Sequence, residues 1–293
     1  MSGRAPQEVD DALLRGWALP PLDEQGDKES RGRVLVVAGS REMPGAAILA
    51  ATAALRAGAG KMVIATPASG ALIVAAAMPE ARVIALPEGP DGSPTLAGLE
   101  LLQSIADATS ALLVGPGMIG DQGTLAFVNS LLPMFKDAVC VLDALAMDHL
   151  HQAGACYQST IVTPHAGEMA HLTGEHKDVI LADPVAFARR QSDAWNAVVA
   201  LKGATTCIAS PHDEAWVHRL EVPGLGTSGS GDVLAGVIAG LVARGTPPAQ
   251  AAVWGVALHA RAGLRLSERV GALGFLARDL AAEVPPLMHQ LST

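Results

Sequence analysis

The sequence predicts an α/β fold: a three-layer sandwich with a mostly parallel central sheet and helices on both of its faces. Three observations point there. Several short β-branched runs are apolar at every position, which marks strands covered on both sides. Helix-length segments separate most of these runs, as the crossovers of a parallel sheet require. Half of the 293 residues are hydrophobic yet only 3% are aromatic, so small aliphatic side chains must fill the layers.

In chain order, residues 1–30 are polar, acidic and interrupted by Pro20 and Pro21, and read as a leader. "GRVLVVAGS" (32–40) is the first buried strand, stopped by Gly39 and Ser40. The alanine-rich "GAAILAATAALRAGAG" follows as a helix closed by Gly58 and Gly60. "KMVIATP" and "ARVIALPE" are the next strands, and the pattern recurs in "ALLVGPG", "AVCVLDAL", "STIVTPH" and "AVVALKG". "TTCIAS" and "EAWVHRL" flank "PHDE" as a hairpin. Helices from Asp232 to about Gly245, Pro248 to about Leu266 and Phe275 to about Leu291 close the chain. With no linker or internal repeat, residues 31–293 read as a single domain.

Composition excludes several functions. A net charge of -9 without a basic block argues against a nucleic-acid partner, and scarce aromatics remove stacking platforms for single strands. Glycine, charge or proline interrupts every apolar stretch before the ~20 residues a membrane crossing needs. The leader lacks the basic and apolar regions of a signal peptide. Cys140, Cys156 and Cys207 are far apart, which argues against a disulfide framework and a zinc site and fits a reducing cytoplasm.

In open parallel sheets ligands bind beyond the carboxyl ends of the strands, and suspicious segments sit at those ends. "GPGMIG" (115–120) formally matches a dinucleotide-binding turn with Asp143 as the ribose acid, but Pro116 is awkward there and three strands precede it. A glycine loop that admits a ligand to the backbone, or plain turn chemistry, are the other readings. No GxxxxGK[ST] is present. In "TPHAGE" (163–168), His165 and Glu168 stand at a helix entry, where the acid either caps the helix or serves a site. Lys202 ends a strand and either meets a phosphate or simply faces water. Asp143 binds magnesium or a ligand hydroxyl, or caps the next helix.

"TSGSGD" (227–232) is the strongest signal. It enters an apolar helix directly, so the N–H groups of Gly229, Ser230, Gly231 and Asp232 should be unpaired there, an anion site for phosphate. Glycines leave room for phosphate oxygens, and Asp232 beside them suits a base for a hydroxyl that attacks phosphorus. The competing reading is a glycine-rich helix start needed for close packing.

"GSGDVLAG" resembles the G-x-G-D signature of the ribokinase-like superfamily. The ordered set "GRVLVVAGSREMPGAA", "GPGMIG", "VLDALAMD", "TPHAGEMAHL", "LKGATTCI" and "PGLGTSGSGDVLAG" is similar to the ADP/ATP-dependent NAD(P)H-hydrate dehydratases, in a stand-alone form without the epimerase domain. The resemblance implies a repair lyase. It phosphorylates the ring hydroxyl of hydrated NADH or NADPH (NADHX, NADPHX) and eliminates phosphate, with ADP or ATP as donor and Mg2+ as cofactor. It also implies a homotetramer served by a separate epimerase.

Carried over by motif, Asp232 would be the base and would contact the substrate. Gly229, Ser230 and Gly231 would hold the phosphoryl group. Lys202, Gly203, Ala204, Thr205 and Thr206, with Gly231, would line the adenine nucleotide site. Ala47, Gly117 and His165 would contact the hydrated dinucleotide, and Glu168 would sit near magnesium. Leu145 stands where the family has a second acid, and Asp148 where it has asparagine. A small-molecule kinase of the hydroxymethylpyrimidine or hydroxyethylthiazole type is the alternative that shares the loop and Asp232.

Overall fold

The computed structural model describes residues 4–21, 26–120, 122–212 and 214–292. Its strands are β1 (Gln7–Glu8), β2 (Arg33–Val37), β3 (Lys61–Pro67), β4 (Ala81–Leu86), β5 (Ala111–Val114), β6 (Val139–Leu142), β7 (Thr160–Val162), β8 (Val198–Leu201), β9 (Thr205–Ser210) and β10 (Glu214–Arg219). The helices before β7 are α1 (Asp11–Gly16), α2 (Pro44–Arg56), α3 (Ala68–Ala77), α4 (Leu99–Gln103), α5 (Gln122–Leu131) and α6 (His149–Ala153). After it come α7 (Ala166–Thr173), α8 (Lys177–Ala182), α9 (Pro184–Trp195), α10 (Ser230–Ala243), α11 (Pro248–Arg269) and α12 (Ala277–Ser292).

One 10-stranded sheet runs in the order β1-β10-β9-β8-β7-β6-β5-β2-β3-β4. From β4 to β8 every pairing is parallel. The expected hairpin is present as β9 and β10, antiparallel to each other, and β9 is antiparallel to β8; Asp213 in its turn lies outside the described residues. The chain leaves β2 toward β3 and β4, then returns to β5 on the other side of β2. That reversal opens a crevice where ligands bind, and a hydrogen bond from the Gly39 N–H to the Pro116 carbonyl (2.7 Å) ties its two loops together.

The sheet divides the core in two. In β2, Val34 and Val36 join the layer under α2, α10 and α11, while Leu35 and Val37 join the layer under α5, α7 and α9. Both sets are buried because successive strand side chains point to opposite faces. This is why the strands read as uninterrupted apolar runs.

α10 packs against α2 almost backbone to backbone. A Cβ on Gly236 would lie 2.2 Å from the Ala50 carbonyl oxygen, and one on Gly240 would lie 2.3 Å from that of Ala54. The later glycines of this helix therefore serve close packing. Gly236→Ala is expected to cost about 1–3 kcal/mol through overpacking, despite a helix propensity gain of up to about 1 kcal/mol. Equilibrium denaturant unfolding measures it; an unchanged or raised midpoint would refute the contact.

Much of the polar leader packs on the rest of the chain. Residues 1–3 and 22–25 lie outside the described residues, but the rest up to Pro20 is built into the domain. β1 pairs with β10, Leu14 is fully buried, and Trp17 stacks on Trp216 at 5.4 Å. Gln250 and Trp254 both donate to the Trp17 carbonyl at 2.8 Å. Buried Val9 and Leu19, the Asp11–Arg261 ion pair (2.6 Å) and donors to the Ala18 and Pro20 carbonyls hold the segment as well. No helix among the described residues is long and apolar enough to cross a membrane.

Candidate active site

Three neighbouring strand ends supply the centre of the site. Asp143 follows β6, Thr163 follows β7 and Lys202 follows β8. The Lys202 N–H donates to the Pro164 carbonyl (2.8 Å), which fixes the lysine beside His165. Asp143 is 3% exposed; its Oδ1 accepts from Thr163 Oγ1 at 2.6 Å and from Lys202 Nζ at 3.2 Å. Lys202 Nζ also lies 3.7 Å from Glu168 Oε2. Burial works to lower the Lys202 pKa, but the charges of Asp143 and then Glu168 outweigh it and raise it. Lys202 is therefore a fixed cation.

The turn at Asp143 is strained. Ala144 adopts φ 48°, a left-handed conformation that costs a non-glycine residue roughly 1 kcal/mol or more. Such strain accumulates where a structure holds a functional group in place.

The anion loop approaches from the opposite side. Gly229 caps α10 with φ +87°, and a Cβ there would sit 2.5 Å from Leu49 Cδ1. Only glycine fits both the backbone and the space. A Cβ on Gly231 would lie 3.4 Å from Lys202 Nζ, so the loop and the cation are adjacent. One expectation changes: the Ser230 N–H is not free but bonds the Thr227 carbonyl (3.2 Å), closing the turn. Gly231 and Asp232, as first-turn residues, keep donors without intrahelical partners.

Asp232 is the perturbed carboxylate. Its pKa is raised to about 7, mainly by burial and next by the charge of Asp143, with Lys202 pulling the other way. A carboxylate with that pKa exchanges protons near neutrality, the property required of a general base. His259 of α11 holds the same loop from behind. It is buried, and its Nε2 lies 3.0 Å from both the Ser230 hydroxyl and carbonyl oxygens. Burial pushes its pKa down to about 4, so a neutral imidazole donates to the carbonyl.

A cavity of about 680 Å3 opens on one side of the loop, lined by Lys202, Gly203, Ala204, Thr206, Ser230 and Gly231 among others. Apolar Val222, Pro223, Leu225 and Val256 form part of its wall. Apolar walls around a few polar groups suit a planar heterocycle with a charged tail. Asp232 does not line this cavity; its Oδ2 is turned toward the Gly229 side of the loop. The loop therefore separates the cavity from the base.

Most of the expected residues converge, while two stand apart from the cavity. Thr205 faces away, since it alternates along β9 with Thr206, which lines the cavity. Ala47 is fully buried beneath α10 and presents no side-chain surface to a ligand. Gly117 stands in the loop after β5, outside the cavity lining. His165 lines the cavity and caps α7: its Nδ1 accepts from the Gly167 and Glu168 N–H groups, and Glu168 Oε2 accepts from the His165 N–H at 2.7 Å. The cap reading of Glu168 is thus correct, in addition to its contact with Lys202. Sequence reasoning left out Thr163 and His259, and left Asp143 open between a ligand role and a helix cap.

A helix start with donors lacking intrahelical partners, a fixed cation and a perturbed carboxylate meet at the carboxyl edge of a sheet of the ribokinase-like class. A ribokinase-like protein of Enterococcus faecalis shares the fold, with a TM-score of 0.85 over 98% of this chain and 96% of its own, at 23% identity. The chain belongs to the NAD(P)H-hydrate dehydratase family, whose model matches residues 34–286. It is 46% identical to the ADP-dependent (S)-NAD(P)H-hydrate dehydratase of Xanthomonas campestris, over 99% of both chains. It is 38% identical to the bifunctional NAD(P)H-hydrate repair enzyme of Moorella thermoacetica, covering 95% of this chain but 54% of that one. Among solved structures, the ADP/ATP-dependent NAD(P)H-hydrate dehydratase of Bacillus subtilis, co-crystallised with ATP and Mg2+, superposes with a TM-score of 0.83 at 27% identity, over 98% of this chain and 99% of that one.

Proposed function

We propose that the protein restores NADH and NADPH from their S-configured hydrates at the expense of ADP. The observation that carries this reading is the position of Asp232, across the anion loop from the nucleotide-sized cavity and poised near neutrality. The nucleotide enters the cavity with its terminal phosphoryl group at the Gly231 end of α10, where the N–H groups and Lys202 receive negative charge. Asp232 takes the proton of the ring hydroxyl as its oxygen bonds to phosphorus and the bond to the leaving AMP breaks. The ring nitrogen's lone pair then expels phosphate, and loss of a proton from the neighbouring carbon restores the dihydronicotinamide. The sum is hydrate plus ADP giving reduced dinucleotide, AMP, phosphate and a proton.

Asp143, Glu168 and Asp232 surround one ammonium, a surplus of hard oxygen donors that fits Mg2+. Asp143 and Glu168 would hold the ion, which would neutralise the phosphates of the bound nucleotide. The relatives named above support the reading through their own names, and the expected partner is a separate epimerase that supplies the S form.

The test is to incubate NADH hydrate with Mg2+ and either ADP or ATP, following the near-ultraviolet absorbance of NADH and the nucleotide products. Return of NADH with AMP and phosphate is expected from ADP. Accumulation of a stable phosphorylated product, without NADH, would move the protein to the small-molecule kinases of the same fold.

A further inference from the structure

A second cluster of donors lies outside the phosphoryl-transfer centre. Asp148 precedes α6 and His151 lies within it, three residues on and hence on the same side. His171 reaches them from the last turn of α7. One ligand atom from each lies within 4.8 Å of the others. The closest pair, His171 Nε2 and Asp148 Oδ1, is 3.1 Å apart. The rings of His151 and His171 meet edge-on, with centroids 5.2 Å apart.

We propose that Asp148, His151 and His171 bind a transition-metal cation of the Zn2+ class, with its open coordination positions facing the cavity beyond Glu168. Two imidazole nitrogens and one carboxylate oxygen suit zinc, copper or nickel, whereas magnesium prefers oxygen alone. A tetrahedral zinc at ordinary bond lengths places its ligand atoms about 3.4 Å apart, which the Asp148–His171 pair already approaches. His151 and His171 are exposed, so a side-chain rotation closes the remaining distance.

A simple hydrogen bond between His171 and Asp148 accounts for two of the three groups. It leaves His151 with no hydrogen-bond partner among the described residues, held to the pair only by its edge-on contact with His171. Neighbouring His149 shows the alternative, since its Nδ1 is engaged with Asn129 Oδ1 at 2.6 Å and takes no part in the cluster. Asp148 and His171 line a cavity of about 370 Å3 together with Leu145, His165 and Glu168, so a bound cation has room for water or a further ligand. The cysteine pattern, which argued against zinc, has no bearing on this site; all three cysteines are buried.

The experiment titrates the whole protein with Zn2+ in a calorimeter, in excess Mg2+ to occupy oxygen-only sites. Wild type is expected to take up one equivalent per chain with a rise in thermal midpoint. His151→Asn and His171→Asn are each expected to weaken binding roughly tenfold or more, and the double variant to abolish it, with circular dichroism and metal-free midpoint unchanged. Co2+ added to wild type supplies a variant-free check, through visible bands of imidazole-bound cobalt. Unchanged zinc uptake in the double variant, no uptake by wild type, or an unperturbed cobalt spectrum would each overturn the site. Neither readout depends on turnover, so the result is independent of the dehydratase reading.

Discussion

Asp232→Asn is expected to reduce turnover by about 10^2–10^4-fold, the range of a lost general base, while making the protein more stable. The two effects have one cause. Burial and the neighbouring Asp143 hold the Asp232 pKa near 7, well above its value in an unfolded chain, so ionising it costs folding free energy. The cost is absent below the unfolded pKa, grows as pH rises toward 7, and is constant above that. Asparagine removes it, and a gain of a few kcal/mol at pH 8 follows from about 1.4 kcal/mol per pKa unit. The gain should shrink as pH falls from 7 toward 4.

Turnover by wild type should fall about tenfold per pH unit below 7, as the base is protonated. Thermal or denaturant midpoints of both proteins across this range, beside the pH–rate profile, measure all three effects. A variant that loses activity but is equally or less stable at pH 8 would mean that Asp232 is not held out of its ordinary ionisation. Retained activity would remove it from the base's role altogether.

The legibility of this site in the sequence follows the type of signal. Asp232 and its loop were readable because the chemistry is local: glycines, a helix start and an acid within six residues. The sheet was readable because strands buried on both faces leave an apolar run. Asp143 was harder, because a strand-end acid looks the same whether it caps a helix or pairs with a lysine 59 residues away. His259 was invisible: one histidine in the apolar run "WGVALHARAG" gives no hint of a contact with Ser230, 29 residues earlier. Thr205 and Ala47 entered through motif position, which says which segment is near a ligand but not which face of the strand or helix meets it. Composition alone left open whether the leader packs on the domain, since its charges obscure Leu14 and Trp17.

Lys202→Met is expected to cost about 3–5 kcal/mol, the penalty for leaving one partner of a buried pair uncompensated. Asp143 would keep Thr163 but lose its cation in a position that is 3% exposed. The loss should extend to chemistry. Without the ammonium, the push of Asp143 on Asp232 loses the opposing charge of Lys202, so the Asp232 pKa should rise above 7 and the activity profile should shift alkaline. Charge arriving on the phosphoryl group would also lose its fixed counter-charge.

Stability and chemistry separate in the double variant. Lys202→Met with Asp143→Asn removes both charges, and replacing a whole buried pair is often neutral, so most of the stability should return. Activity should not return, because neither the cation nor the ordered strand-end pair is restored. Denaturant midpoints and kcat for the two single variants and the double variant complete the cycle. If Lys202→Met alone leaves the midpoint unchanged, water reaches Asp143 and the pair is not the buried unit its geometry indicates. If the double variant regains turnover, Lys202 acts only by neutralising Asp143, and the anion loop carries the phosphoryl charge alone.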